Sequence, residues 1–598
     1  MKNMDSMYGR QSKSAGRDLL RGHDMKYIYS RLWRYLSRHK FLFALAILMT
    51  VTTGMLSITG TSLAGKAIGA IAGEGEHDVF FYVAVMALCY TTAAVISYVR
   101  SVIMLKLTQN MVAKMRSDVY ENLVELPVGF FDRRQAGEIV STISYDVNTV
   151  SETLAHDFLQ IILSAVTVIY SFVLMLTVSP RLVCVFAVTI PLSFAITTII
   201  KKITRPLFRK RSAALGELNG YVEEMIAGHK TIKAYGREQE IIDAFAEKNA
   251  KATDAYCNAE KNATLAGPSI MFVNNLSLAL VNIFGAILFI NSGISLTDLS
   301  QFILLSRKFS GPINEIANIY ADIQSALAAS ERVFHLIDEK REPKDAENAA
   351  ELSCPHGKVE FKNVRFGYTE DKVILHNLTL TAEPGSVTAI VGPTGAGKTT
   401  IINLLMRFYD INDGDILIDG ESIYSVSRDS LRSAYTMVLQ DTWLFNGTIY
   451  ENIAYGREGV SHDEVERVCR AAGIHDFVMS LRDGYDTVIS ESGTNISKGQ
   501  KQLLTIARAM LIDSKMLILD EATSNVDSKT ERDISDAMVR LMKDRTCFVI
   551  AHRLSTIRGA DNIIVVRDGD VVEQGKHDEL LAKGGFYSEL YYSQFEKV

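Results

Sequence analysis

The sequence predicts an all-α transmembrane domain of six helices followed by an α/β domain. Three observations predict it. Long uncharged apolar runs are confined to the first half of the chain. After residue 357 short β-branched runs alternate with helical stretches. A glycine-rich turn of the kind that cradles phosphates joins one of those strands to a helix. The 598 residues are 48% hydrophobic and 22% charged, so the chain is rich enough in apolar residues to exclude disorder and long enough for several domains. A net charge of −6 gives no basic excess to attract nucleic acid. Cys89, Cys184, Cys257, Cys354, Cys469 and Cys547 show no CxxC spacing, which argues against a disulfide scaffold or a zinc ribbon.

Residues 1–39 read as a cytoplasmic segment without the apolar stretch of a signal peptide. Tyr27, Leu32, Trp33 and Leu36, interleaved with Arg31 and Arg34, suit an amphipathic helix lying on the inner membrane surface. The domain from 40 to 326 contains the runs Phe41–Gly65, Val79–Val99, Phe158–Pro180, Leu182–Ile200 and Thr264–Thr297. A helix needs roughly 20 apolar residues to cross a hydrocarbon core of about 30 Å, and each run reaches or nearly reaches that length. A sixth helix is expected near 295–326, interrupted by Asp298, Arg307, Lys308, Glu315 and Asp322. Charged groups inside a span are costly unless they face protein or water. Arg307 and Lys308 therefore either line a translocation path, mark the inner boundary, or pair within the bundle. Basic clusters before the first run and after the fourth (Lys201, Lys202, Arg205, Arg209, Lys210, Arg211), against an acidic first loop (Glu74, Glu76, Asp78), put both termini in the cytoplasm. The long charged connections 106–157 and 201–263 are expected to carry the helices on as cytoplasmic hairpins. Residues 327–357 read as a linker.

From 358 to 598 the pattern is that of a mostly parallel α/β domain. Gly392, Pro393, Thr394, Gly395, Ala396, Gly397, Lys398 and Thr399 fit GxxxxGK[ST] between the strand Val387–Val391 and an apolar helix at Ile401–Phe408. In such a loop backbone amides and the helix N-terminus face phosphate oxygens, a role shared by Thr400; Lys398 reaches the β- and γ-phosphates, and Thr399 offers a hydroxyl to Mg²⁺. Met516–Leu519 is a buried strand ending in Asp520 and Glu521, one carboxylate to hold Mg²⁺ and one to activate water.

This order of elements resembles an ABC transporter half of the type IV exporter kind, with ATP and Mg²⁺ as its cofactors. On that resemblance Tyr368 stacks on adenine, and Gln440 contacts Mg²⁺ and senses the γ-phosphate. His552, after the strand Thr546–Ile550, contacts the γ-phosphate, and the loop Ser524–Asp527 meets a partner chain. Ile496, Ser497, Lys498, Gly499 and Gln500 occupy the place of the LSGGQ signature, with a helix expected from Gln500 to Leu511. There they would complete the partner's nucleotide site. Leu126–Asp132 and Leu218–Tyr235 resemble the two cytoplasmic hairpins that dock on the ATPase domains, and Glu491 and Gly493 resemble the loop that contacts them.

Lys498 stands where the family has glycine. With Glu521 and His552 intact, this resembles the consensus half of bacterial heterodimeric multidrug exporters. The resemblance implies an ATP-driven exporter half in the cell membrane, paired with a second half-transporter. It would move amphipathic or hydrophobic compounds, with a lipid flippase, peptide exporter or siderophore importer as alternatives.

Overall fold

A computed structural model describes the chain except residues 1–24, 75–76, 292, 353–354, 370–371, 441, 490–495, 521–526, 552–553 and 596–598. It divides into two compact units, Met1–Val124 with Ala136–Glu339, and Glu125–Gln135 with Lys340–Val598.

The first unit is helical. Helix α1 (Met25–Ser37) buries Ile28, Leu32 and Leu36 and leaves Tyr27, Tyr29 and Trp33 exposed, an amphipathic division. Helices α2 (Lys40–Ile71) and α3 (Val79–Val124) follow. Helix α4 (Val128–Phe131) is a single turn. Helix α5 (Ala136–Val178) is continuous but widens into π-turns at Thr142–Asp146 and Thr153–Asp157. Next come α6 (Pro180–Ala227), α7 (His229–Tyr235), α8 (Glu238–Ala263), α9 (Ala266–Ile290) and α10 (Leu296–Asp338). Among the described residues five helical stretches are long and apolar enough to cross a membrane: α2, α3, α5, α6 and the pair α8–α9. The apolar runs are thus only parts of longer helices, because the charged connections are helical as well. α10 is capped at its start by Ser295 and Asp298 bonding reciprocally. It does not end at 326. Residues 327–338 continue it, with Val333, Phe334 and Leu336 buried, so the expected linker begins only after Asp338.

The bundle closes where small residues let helices approach. A Cβ on Gly65 would lie 2.4 Å from the Gln301 Cα, and one on Gly69 would run into Thr297. α2 and α10 are thereby in backbone contact, and the Thr297 N–H donates to the Glu74 carboxylate at 3.1 Å. A second cluster of Met175, Leu182, Phe186, Val281, Phe302, Leu305 and Phe309 ties α5, α6, α9 and α10 together.

Among the described residues the second unit holds two larger sheets and a short antiparallel pairing of Gly447–Thr448 with Val488–Ile489. β1 (Val359–Phe366), β2 (Leu375–Ala382), β4 (Asp413–Ile418) and β5 (Glu421–Ser422) form an antiparallel sheet in the order β2-β1-β4-β5. The main sheet has the order β10-β9-β3-β8-β7-β6, from β3 (Val387–Val391), β6 (Tyr435–Val438), β7 (Met516–Asp520), β8 (Thr546–Ile550), β9 (Asn562–Arg567) and β10 (Asp570–Gly575). It is parallel except for the β9–β10 hairpin. The parallel strands were legible because they are buried on both faces and read as continuous apolar runs. The antiparallel sheet departs from the mostly parallel expectation.

Candidate functional site

The site is built at the carboxyl end of β3, the central buried strand of the main sheet. Gly392 leaves that strand so close to its neighbour that a Cβ would sit 2.2 Å from the Val566 carbonyl oxygen, so only glycine fits. Gly395 and Gly397 take φ of +85° and +103°, a region costly for side-chain-bearing residues. These turns lead into helix α11 (Lys398–Leu405), eight residues long, which starts earlier than the expected Ile401–Phe408. Thr394, Gly395 and Thr399 are exposed, while Ala396 is buried as the loop's anchor. The Lys398 ammonium folds over the mouth and donates to the carbonyls of Gly392 at 2.8 Å and Pro393 at 3.0 Å. Half-burial pulls its pKa down, and the charge of Asp520 opposes that. Those carbonyls are weak partners for a cation, so a phosphate in the loop would outcompete them.

Tyr368 lies just past β1, 44% exposed. It is held on both sides. Its hydroxyl is 3.1 Å from that of Thr400 and accepts from the Asn403 amide at 3.3 Å. Its ring meets Phe366 and Tyr409 edge-on, at 5.0 and 4.9 Å between centroids. The Thr400 side chain is therefore buried and committed to Tyr368, and only its backbone remains for a phosphate.

Tyr409 and Asn403 were not singled out in the sequence. The Tyr409 hydroxyl donates to the Asp132 carboxylate at 2.5 Å, and a Cβ on Gly129 would lie 2.7 Å from the ring. Burial and the neighbouring carboxylate hold its pKa well above the usual phenol value. The tip of the first hairpin, Glu125–Gln135, clusters with this unit rather than with the helical one. No spacing in the sequence could reveal that pairing, since 277 residues separate the partners. The second tip, α7, has no buried residue.

Asp520 ends β7, partly buried and close enough to Lys398 to act on its charge. Gln440 is exposed two residues beyond β6, which stops at Val438 rather than Leu439. Glu521, Ser524, His552, Glu491 and Gly493 lie outside the described residues. Asp527 is described as a helix cap: it accepts from the amides of Lys529 at 3.1 Å and Thr530 at 3.0 Å, starting α13 (Ser528–Met542). Those bonds hold its pKa below the usual carboxylate range.

The signature segment forms a reciprocal cap. The Ser497 amide donates to the Gln500 side chain at 2.8 Å, and the Gln500 amide donates to the Ser497 hydroxyl at 3.3 Å. Helix α12 (Lys498–Leu511) consequently begins two residues before the expected Gln500, because a Ser-x-x-Gln box fixes the first turn. Ser497 and Lys498 are exposed and Gly499 is buried.

The residues fit both groups the motif implies. Glycine amides, a helix start and an inward lysine suit a nucleotide triphosphate. The Thr399 hydroxyl, the Asp520 carboxylate and the Gln440 carboxamide are oxygen donors, the kind a hard divalent cation such as Mg²⁺ takes.

Residues 43–313 match the ABC transporter transmembrane region family and residues 375–524 the ABC transporter family. The chain is 42% identical over 589 residues to an uncharacterised ABC transporter ATP-binding protein of Bacillus subtilis (strain 168), YfiC, covering 98% of this chain and 97% of that one. It is 42% identical over 501 residues to a fatty acid ABC transporter ATP-binding/permease protein of Mycobacterium tuberculosis, covering 84% and 79%. A solved bacterial Atm1-family ABC exporter with ATP bound superposes with a TM-score of 0.75 at 30% identity, over 93% of this chain and 98% of that one. The chain belongs to the ABC transporter family, as a multi-pass exporter half whose ATPase domain binds and hydrolyses ATP to drive transport.

Proposed function

We propose that this half-transporter pairs with a second half and moves amphipathic or hydrophobic compounds out of the cytoplasm or inner leaflet by alternating access. The observation that carries the reading is the complete phosphate cradle, with Lys398 folded over its mouth, in a chain with five membrane-length helical stretches among its described residues. ATP lies against Tyr368 and the loop Gly392–Thr400. Ser497, Lys498, Gly499 and Gln500 present the start of α12 to the nucleotide of the partner, so that binding draws the two ATPase domains together. Glu521 deprotonates or orients the attacking water, and His552 and Gln440 contact the γ-phosphate end. Thr399, Gln440 and Asp520 would hold Mg²⁺, which supplies charge neutralisation of the phosphates. Closing and opening of the domains rocks the helices between inward-open and outward-facing states, and cargo affinity must differ between the two.

A heterodimer is the favoured assembly. Lys498 puts a positive charge on the first residue of α12, where the helix dipole is also positive. That placement is unfavourable unless an anion faces it, and it makes the site completed by this signature unlike the one formed by the chain's own loop. The partner is expected to lack glutamate at the position of Glu521. Cargo of lipid type is supported by the relative named as a fatty acid transporter. The location is the cell membrane, with both termini cytoplasmic, a placement the basic loops support.

The test is Glu521→Gln. The variant should bind ATP with near-normal affinity, stay closed, and lose at least about a thousandfold in turnover, the scale of removing a general base together with its electrostatic role. Turnover within tenfold of wild type contradicts the assignment of Glu521.

A further inference from the structure

Resting on the exporter reading, we infer that the translocation path carries a cationic pair, Arg307 and Lys308, and that the cargo is an amphiphile with an anionic headgroup.

The pair sits deep. α10 starts at Leu296, at the end of the bundle where α2 and α3 and also α9 and α10 are joined by short turns. The Thr297 amide bonds Glu74 of the first turn, which fixes that end. Arg307 and Lys308 lie eleven and twelve residues further on, about 17–18 Å along a helix rising 1.5 Å per residue. In a hydrocarbon core of about 30 Å that is near the middle, not the inner boundary.

The pair is also unpartnered within the chain. Both side chains are exposed, and among the described residues neither makes an ion pair or a side-chain hydrogen bond. Phe302, Leu305 and Phe309 take up the buried face of the same helix. At 100° per residue Arg307 projects nearly opposite that face, and Lys308 about a quarter-turn from it. The other five runs contain no Asp, Glu, Lys or Arg. The nearest acid on α10 is Glu315, seven residues beyond Lys308, or about 10 Å inward, where it accepts from Gln160 at 2.8 Å and Ser164 at 3.3 Å. Lipid cannot face two unpaired cations at this depth without a large penalty, so water and cargo must. A second copy of this chain would bring two more cations to the level and no carboxylate. Charge complementarity leaves an anionic headgroup, with the surrounding apolar helices taking its hydrocarbon chain.

The experiment uses the full chain in its assembled dimer, in phosphatidylcholine vesicles that do not concentrate charge at the surface. ATP hydrolysis is titrated with three C18 probes: oleyl sulfate, oleyl alcohol and oleyltrimethylammonium. The expected half-maximal concentration for oleyl sulfate is at least about tenfold lower than for the cation, the scale of one charge-assisted contact. R307Q/K308Q should raise it at least about tenfold while moving that of oleyl alcohol less than about twofold, and R307K/K308R should restore it. Repeating the titration with phosphatidylglycerol in the vesicles separates two sources of the same chemistry. Loss of the oleyl sulfate response there assigns the site to a bilayer lipid, and an unchanged response assigns it to a free amphiphile. Equal potency of the three probes, or preference for the cation, overturns the inference, as it would if an acidic side chain of the partner covered the pair. Retained anion preference in R307Q/K308Q overturns it too. The three-probe comparison on the unaltered chain needs no variant and stands even if R307Q/K308Q fails to fold. If no amphiphile of any charge stimulates hydrolysis or moves with ATP, the exporter reading itself falls.

Discussion

At the scale of single residues, Tyr409 links Tyr368 to the first hairpin tip. One ring touches Tyr368 edge-on, packs against Gly129, and ends in a hydroxyl bonded to Asp132. Tyr409→Phe keeps the ring and removes one partly solvated hydrogen bond, a loss of about 1 kcal/mol. The expected result is faster amide exchange across Val128–Arg134 with unchanged protection of β3; equal exchange at the tip would show that the hydroxyl contributes nothing to its docking. Cysteines give a second check. Burial pushes the thiols of Cys469 and Cys547 up to about 12, whereas Cys257 is exposed on α8. A water-soluble maleimide at pH 7 should label Cys257 in the native protein, and Cys469 and Cys547 only after denaturation, because the thiolate is the reacting form. Native labelling of either buried cysteine contradicts the packing of the main sheet. The glycines of the phosphate loop were legible because their reason is local. Tyr409 was not, because its reason is a contact across 277 residues.

At the scale of elements, the signature helix shows how a local rule corrects a family expectation. The Ser497–Gln500 box places Lys498 inside the helix as its first residue, exposed. Ser497→Ala removes the cap, which costs about 1 kcal/mol, and removes the hydroxyl proposed to meet the partner's nucleotide. ATP hydrolysis should fall at least tenfold while binding to the chain's own loop, read by a fluorescent ATP analogue, is unchanged; parallel loss of both would mean that α12 supports the loop instead. Similar logic explains what else the sequence showed. The membrane helices announce themselves by length and apolarity, and α3 and α6 run on as expected through charged sequence of high helix propensity; only the end of α10 was misplaced, at 326 instead of Asp338. The antiparallel pairing of β1 with β2 and β4 escaped although β1 and β2 are eight residues each, because β1 shifts register against both of its neighbours and the alternation breaks.

At the scale of the whole molecule, the phosphate loop and the membrane helices belong to different units of one chain, and the tip of the first hairpin belongs to the unit that holds the nucleotide. A hairpin that leaves the membrane helices and folds with the ATPase domain gives nucleotide chemistry a covalent and packed handle on the helices. Coupling then requires that ATP bound at Lys398 change the position of that handle. The direct test is ATP-driven movement of oleyl sulfate into inside-out vesicles by the wild-type assembly and by Lys398→Ala in this chain. Uptake that depends on ATP hydrolysis and falls at least tenfold in Lys398→Ala is the expected result. Uptake without ATP, or equal uptake by the variant, would contradict the claim that this nucleotide site drives the helices.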